Sequence, residues 1–180
     1  MDALQAFVLP VRGLNSGWHH YDFQLDRSFF AAFEQSPIQA ADIKLELAVD
    51  RRIRDLVLHF SFSGKVNTDC DRCMTPIELP VEGKQQLLVK ITNDPEQVSD
   101  DPEMIYLHYE EAFLQIAPFA YEFVLLALPM VKTYACRETP PFPCDEDMLN
   151  KIAEAENLAE ETENDQPSSS PWDVLKDWNK

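Results

Sequence analysis

The chain has 180 residues, of which 32 are acidic and 15 basic, so its formal net charge is −17 at pH 7. This charge disfavours binding to nucleic-acid phosphate, which relies on Lys and Arg, and favours basic partners. Only four Gly are present and no glycine-rich phosphate-binding motif occurs, which argues against a nucleotide-binding enzyme.

The N-terminal residues lack a basic start followed by a long apolar run, so the sequence predicts no signal peptide. The longest apolar stretch, residues 116–131, is too short and too interrupted by charge and proline to span a bilayer. We therefore expect a cytoplasmic protein whose thiols stay reduced and which has no structural disulfide.

The N-terminal part predicts two strands and a short helix. Residues 4–11 are a candidate edge strand because Pro10 cannot donate a backbone hydrogen bond, and residues 18–25 alternate weakly and are candidates to pair with it. Three aromatic residues near helical spacing, preceded by Asp26 or Ser28 as a cap, predict a helix: Phe29, Phe30 and Phe33.

The clearest pattern is the alternation of apolar and polar residues in the middle of the chain. It covers residues 43–49 and 56–66, joined by a polar connection at 51–55, and predicts an antiparallel hairpin with one buried face. The alternation resumes at Ile77, so the segment in between is a bend between two strands.

The following part predicts one more strand and one buried helix. Residues 93–103 are an acidic, Pro-containing loop, and residues 104–108 alternate as a short strand. Residues 118–128 predict a helix of about three turns, because a proline suits its first turn and another follows its end. Its one charge, Glu122, is either a buried functional carboxylate or, as we favour, part of the exposed helix edge.

These patterns predict an α+β domain over residues 1–145, with a mainly antiparallel sheet and one or two short packing helices. The acidic segment 146–171 is expected to be a disordered linker that forms at most a transient helix over 149–161. Residues 172–180 regain aromatic side chains and predict a segment that docks on a partner or on the domain itself, the alternative being a frayed end. Its docking residues would be Trp172, Leu175 and Trp178.

Cys70, Cys73, Cys136 and Cys144 are the only cysteines of the chain. The first two are separated by two residues, so one tight turn can present both sulfurs to one ion, and the later two would complete a tetrahedral set. We predict a structural zinc site, with Arg72 offsetting part of its negative charge. Unligated thiols and a redox pair remain alternatives, the redox pair being disfavoured because a strand and not a helix follows it.

No catalytic residue is predicted. The histidines are scattered, with His59 on the polar face of its strand, and no nucleophile with a matching base is evident. Arg51, Arg52 and Arg54 form a basic cluster that is either a local phosphate contact or, as we favour, a solvated turn.

Three segments together resemble the YceD family, the large ribosomal RNA subunit accumulation proteins. Residues 64–76 are similar to that family's strand followed by Cys-x-x-Cys-x-x-Pro, and residues 122–129 to its acidic residue leading into Leu-Ala-Leu-Pro. Cys136 matches a family cysteine that follows the second segment, and residues 170–175 are similar to the closing Pro-aromatic-x-x-Leu motif. The resemblance covers roughly residues 40–180.

The resemblance implies a role in accumulation of large-subunit ribosomal RNA during subunit assembly, a link to a small zinc-ribbon protein of that subunit, and no catalytic activity. We therefore predict a non-enzymatic ribosome biogenesis factor without a membrane or small-molecule substrate. It would contact a basic ribosomal protein or the pre-ribosomal large subunit through Arg72 and the docking segment. Direct contact with RNA would need a local basic patch.

Two other functions stay open. One is a thiol redox or metal-transfer protein that uses Cys70 and Cys73. The other is a histone-like decoy that binds basic proteins through charge alone, and whose binding would vanish at high salt.

Overall fold

The computed structural model describes residues 3–93, 104–134 and 144–165, with side chains described as far as residue 155. Two single-turn 3₁₀ helices, Gln5–Phe7 and Val11–Gly13, flank the first strand. The strands are β1 (Val8–Leu9), β2 (Gly17–Leu25), β3 (Ala40–Arg51), β4 (Asp55–Asp69), β5 (Pro76–Thr92), β6 (Met104–His108) and β7 (Leu114–Gln115). The helices are α1 (Arg27–Phe30), α2 (Ala117–Ala127) and α3 (Glu146–Asp165).

Five strands form one sheet in the order β2-β3-β4-β5-β6, antiparallel except for the parallel pair β5 and β6. Apolar residues set the register, because Leu45 of β3 lies opposite Phe23 of β2 and Phe62 of β4. A shift by one residue would turn this apolar set towards solvent. The sheet confirms the predicted α+β class and the predicted hairpin.

The helices cover one face of the sheet and leave the other face to solvent. Phe33, just after α1, stacks on Tyr121 of α2 with ring centroids 4.0 Å apart. Phe60 of β4 packs edge-on against Phe123 of α2 at 5.1 Å. On the opposite face the side chains of β2 and β3 are exposed or half-buried, as is common for an antiparallel sheet with one solvated side.

The helix predictions are confirmed for α1 and α2. Asp26 caps α1, since its Oδ1 accepts hydrogen bonds from the amides of Ser28 at 2.8 Å and Phe29 at 3.1 Å. Glu122 is exposed on α2, which confirms the interpretation that we favoured for this charge.

The pairing predicted for the N-terminal strands is wrong. Within residues 4–11 only β1 is extended, and it pairs with β7, whereas β2 pairs with β3 along its whole length. Tight 3₁₀ turns on both sides shorten β1, and Pro10 has no amide hydrogen to extend its ladder. The apolar residues of β2 instead match those of β3.

A helix, α3, covers Glu146–Asp165, within the segment 146–171 that we predicted to be a disordered linker with a transient helix over 149–161. Asp145 caps it through Oδ1, which accepts from the amides of Asp147 at 2.9 Å and Met148 at 3.2 Å. Acidic residues in the first turn stabilise the positive end of the helix dipole, and Leu149 packs against the core. Residues 94–103 and 166–180 lie outside the described residues.

Candidate functional site

A tight turn, residues 70–75, joins β4 to β5 and carries the first cysteine pair. The Cys70 amide donates to the Thr75 carbonyl at 2.9 Å, and the Met74 amide donates to the Cys70 carbonyl at 2.8 Å. Met74 has a φ of 60°, a left-handed conformation that is uncommon for residues other than glycine. The turn thus holds Cys70 and Cys73 in one compact structure, at the strand-to-strand bend that the sequence predicted.

Both thiols of this turn are free and buried, with exposed fractions of 0% for Cys70 and 4% for Cys73. Burial by itself raises the pKa of Cys73. Hydrogen bonds from the Thr75 amide and hydroxyl, the Asp145 amide and the Cys70 side chain outweigh burial, so the pKa lies below that of an ordinary thiol. The surroundings therefore stabilise a thiolate at Cys73.

The chain segment that precedes Cys136 is bound to the same turn. The Asp71 amide donates to the Lys132 carbonyl at 2.8 Å, and Arg72 Nη2 donates to the Tyr134 carbonyl at 3.1 Å. Arg72, which we predicted to bind a partner, thus contacts the backbone of its own chain while its side chain stays exposed.

Cys144 reaches the turn from a third part of the chain. It is 8% exposed and belongs, like Cys70 and Cys73, to the buried core of the domain. The next residue, Asp145, donates its amide to Cys73. The backbone that follows Cys144 therefore contacts the cysteine turn, although the two are far apart in the sequence.

One finding differs from the sequence expectation: Cys144 is disulfide-bonded. A disulfide sulfur is not a thiolate ligand. In the part of the chain that the structure describes, no group of three or more His, Cys, Asp or Glu is arranged to hold a metal ion. Zinc binding stays a prediction, and one of its predicted ligands, Cys136, lies outside the described residues. The residues predicted to dock on a partner also lie outside them: Trp172, Leu175 and Trp178.

A comparison with models of protein families shows which family the chain belongs to. The family model described as "Large ribosomal RNA subunit accumulation protein YceD" matches residues 58–178. The chain belongs to the YceD family. The YceD match begins in β4, includes the cysteine turn, α2 and α3, and excludes β1 to β3. Its description names a role in ribosomal RNA accumulation and no enzymatic activity.

No curated protein and no solved structure matches the chain. Among the helices of the described residues, none is long and apolar enough to cross a membrane.

Sequence reasoning missed a second feature, an aromatic cluster on the solvent side of the sheet. Trp18 of β2 is 58% exposed, and its ring lies 5.5 Å from that of His59 and 6.5 Å from that of His20, stacked on both. His59 belongs to β4, inside the YceD match, and Trp18 lies outside it. The alternation of apolar and polar residues predicted that His59 lies on the polar face of β4. Its contact with Trp18 depends on the strand order, because β3 lies between β2 and β4.

Two carboxylates lie beside these rings. Asp22 of β2 is directly opposite Glu46 of β3, on the same face as His20 two residues away. Both line a groove of about 230 Å³ together with His20 and His59. Neither carboxylate forms an ion pair within the described part of the chain.

Proposed function

We propose that this protein is a non-enzymatic ribosome biogenesis factor that supports the accumulation of large-subunit ribosomal RNA by binding a basic ribosomal protein. The observation that carries the role is the YceD match over residues 58–178. The net charge of −17 supports a basic protein as the direct partner, because it disfavours contacts with phosphate.

The open face of the sheet offers a surface for such a partner. Asp22 and Glu46 carry like charges at directly opposed positions, an arrangement that destabilises a sheet. A cationic side chain placed between the two carboxylates would remove this repulsion. The free protein thus has an electrostatic reason to bind a cation here.

The neighbouring aromatic cluster favours arginine over a simple ion. A guanidinium group stacks on the face of an indole ring and also pairs with carboxylates. Trp18 is an exposed indole four residues before Asp22 on β2 and on the same face, so successive arginines of one extended segment would reach both features. An extended Arg-rich segment, of the kind that basic ribosomal proteins would supply, fits a surface of this chemistry.

The test of the role is genetic. Deletion of the gene should lower large-subunit rRNA relative to small-subunit rRNA and deplete large subunits in sucrose gradients. Wild-type protein and Glu78→Gln should restore both, whereas Asp22→Asn combined with Trp18→Ala should not. Glu78→Gln is a matched control, because it removes one acid from the same sheet outside the groove. Normal rRNA and normal subunit profiles in the deletion strain would contradict the role.

The test of the surface is direct binding of a labelled nona-arginine peptide, followed by fluorescence anisotropy. Trp18→Ala should weaken binding by about three- to thirtyfold, the range expected for loss of one cation–π contact. Some affinity should survive high salt, unlike the binding of a decoy that acts through charge alone. Tighter binding of single-stranded oligo-uridine RNA than of the peptide would exclude a basic protein as the favoured ligand.

The thiol redox or metal-transfer alternative gains no support from the family comparison. In addition, Cys70 and Cys73 lie between two strands, β4 and β5, and not at the start of a helix. A Cys-x-x-Cys pair of the thioredoxin kind opens the helix that follows a strand in a βαβ unit. We therefore do not propose it.

A further inference from the structure

We infer that the free edge of β2 binds an extended basic segment of a partner protein as one further strand of the sheet. This inference rests on the proposed function, because it states how a basic partner would be held beside the open face. β2 is the first strand in the order β2-β3-β4-β5-β6, so one of its two edges faces no strand of the described residues. An edge of this kind offers its backbone groups to an incoming strand.

The backbone groups along this edge have no partner in the part of the chain that the structure describes. β3 pairs with β2 over its whole length, from Gly17 opposite Arg51 to Leu25 opposite Ile43. In an antiparallel pair, every second residue directs its amide and carbonyl away from the neighbouring strand. Among the described residues, no hydrogen bond joins the backbone of β2 to an element other than β3. The outward groups are therefore available to a second chain.

β2 has none of the features with which proteins usually protect an exposed edge. It contains no proline and no lysine, and its ladder with β3 runs without a bulge. It is nine residues long, whereas β6 at the opposite edge of the sheet has five. A long, unprotected edge is the kind to which an extended peptide adds a strand, with main-chain hydrogen bonds providing affinity.

The solvent-facing side chains of β2 favour cations at alternate positions of the added strand. The exposed side chains of β2 alternate along it: Trp18, His20, Asp22 and Gln24. Asp22 lies opposite Glu46 of β3. Strands of a sheet are about 4.8 Å apart, so residues of the added strand on this face would lie beside Trp18 and Asp22. Arginine or lysine fits both places, because a cation stacks on an indole ring and pairs with a carboxylate.

The core-side residues of β2 favour apolar side chains at the positions in between. Tyr21 and Phe23 are half-buried, and their stacked rings have centroids 6.4 Å apart. Phe23 also stacks on the buried ring of Phe7 at 5.1 Å. Apolar residues of the added strand on this side would cover the exposed parts of Tyr21 and Phe23. The partner segment would therefore alternate basic and apolar residues.

Charge favours such a segment over a second copy of this chain. Each chain has a formal net charge of −17, so two copies repel each other. β2 contains neither lysine nor arginine that could pair with Asp22 of another copy. A basic segment, in contrast, complements the carboxylates of Asp22 and Glu46.

The experiment is a titration of the full-length protein with fluorescently labelled peptides of alternating arginine and valine, each as long as the nine residues of β2. One peptide is unmodified, a second is N-methylated at every arginine and a third at every valine. Their charges and side chains are the same, but in a strand the arginine amides point to one edge and the valine amides to the other.

We expect one of the two methylated peptides to bind like the unmodified one. The other should bind about tenfold more weakly or worse, because it cannot donate hydrogen bonds to β2. Equal affinity of all three peptides, or an equal loss for both methylated peptides, would overturn the inference. Because only the peptide is changed, the result does not depend on whether a variant protein folds.

Hydrogen exchange measured by NMR locates the added strand. The amides of β2 that are not bonded to β3 should exchange fast in the free protein and slowly with the unmodified peptide, while those of β6 should not change. Protection at β6 instead of β2 would overturn the inference. Slow exchange at this edge in the free protein would also overturn it, a dimeric mass then identifying a second copy as the occupant and a monomeric mass the chain itself.

These outcomes are separate from those that test the proposed function. Peptide binding at another surface would contradict the strand addition and leave the role in ribosomal RNA accumulation intact. Normal ribosomal RNA in the deletion strain would contradict that role, whatever the peptides do.

Discussion

Asp71 and Lys132 bind each other reciprocally across the cysteine turn. The Asp71 amide donates to the Lys132 carbonyl at 2.8 Å, and the Lys132 amide donates to Asp71 Oδ2 at 2.7 Å. Lys132 Nζ lies 3.3 Å from Asp71 Oδ1. The pair ties the segment after α2 to the turn between β4 and β5.

We expect Asp71→Ala to free the backbone of this segment without unfolding the domain. The Lys132 amide, protected in the wild type, should exchange with deuterium faster in the variant, as measured by NMR. Lys132→Met is the control, since it removes the ammonium group and keeps the amide donor. Unchanged exchange at residue 132 in Asp71→Ala would show that the carboxylate does not hold the segment.

Two glycines of neighbouring strands should respond differently to the same substitution. A Cβ atom on Gly64 would come within 2.1 Å of the Asp42 carbonyl oxygen and 2.6 Å of Ile43 Cα, so β3 and β4 would have to separate. A Cβ atom on Gly83 would meet the ring of Phe62 at 2.5 Å, and a ring can shift more easily than a backbone.

Gly64→Ala should therefore lower the free energy of unfolding by more than about 3 kcal/mol, and Gly83→Ala by about 1 kcal/mol. Urea denaturation followed by circular dichroism measures both. Equal losses of unfolding free energy in the two variants would mean that β3 and β4 are farther apart at Gly64 than in the structure.

The cap of α1 predicts a pH dependence of stability. Hydrogen bonds from the Ser28 hydroxyl and the Phe29 amide lower the pKa of Asp26. Because the folded pKa lies below the unfolded one, this carboxylate stabilises the fold above about pH 3.9, and the contribution disappears as the pH falls through the folded pKa.

Asp26→Ala should lower the free energy of unfolding by about 1 kcal/mol at pH 7, with a smaller difference from the wild type at pH 2. Asp26→Asn keeps a capping oxygen and should lose less at pH 7. Thermal unfolding at both pH values measures the difference in stability between the wild type and Asp26→Ala. A difference as large at pH 2 as at pH 7 would show that the charge of Asp26 is not involved.

The stacked pair of Phe33 and Tyr121 joins α1 to α2 and should be energetically coupled. A double-mutant cycle with Phe33→Leu and Tyr121→Leu should give a coupling free energy of about 0.5–1.5 kcal/mol. The control cycle combines Tyr121→Leu with Trp18→Leu, which lies on the opposite face of the sheet, and should give nearly zero. Similar values in the two cycles would mean that ring stacking contributes nothing specific.

Local patterns in the sequence determined the elements whose stability depends on their own residues. Alternation identified β3, β4 and most of β5, because one buried face imposes a period of two on each strand. Asp26 predicted the start of α1, because its side-chain oxygen can cap a helix. Pro118 and Pro129 predicted where α2 begins and ends. The cysteine pair was placed correctly between two strands, since its spacing needs a tight turn.

Only the tertiary structure decided the contacts between distant segments. It paired β1 with β7 and made β6 parallel to β5. It brought the Asp145 amide to Cys73 and placed Trp18 against His59 across an intervening strand. It also packed Leu149 of α3 against the core, a contact that the sequence alone does not predict. Such contacts depend on strand order and chain return, which no local periodicity encodes.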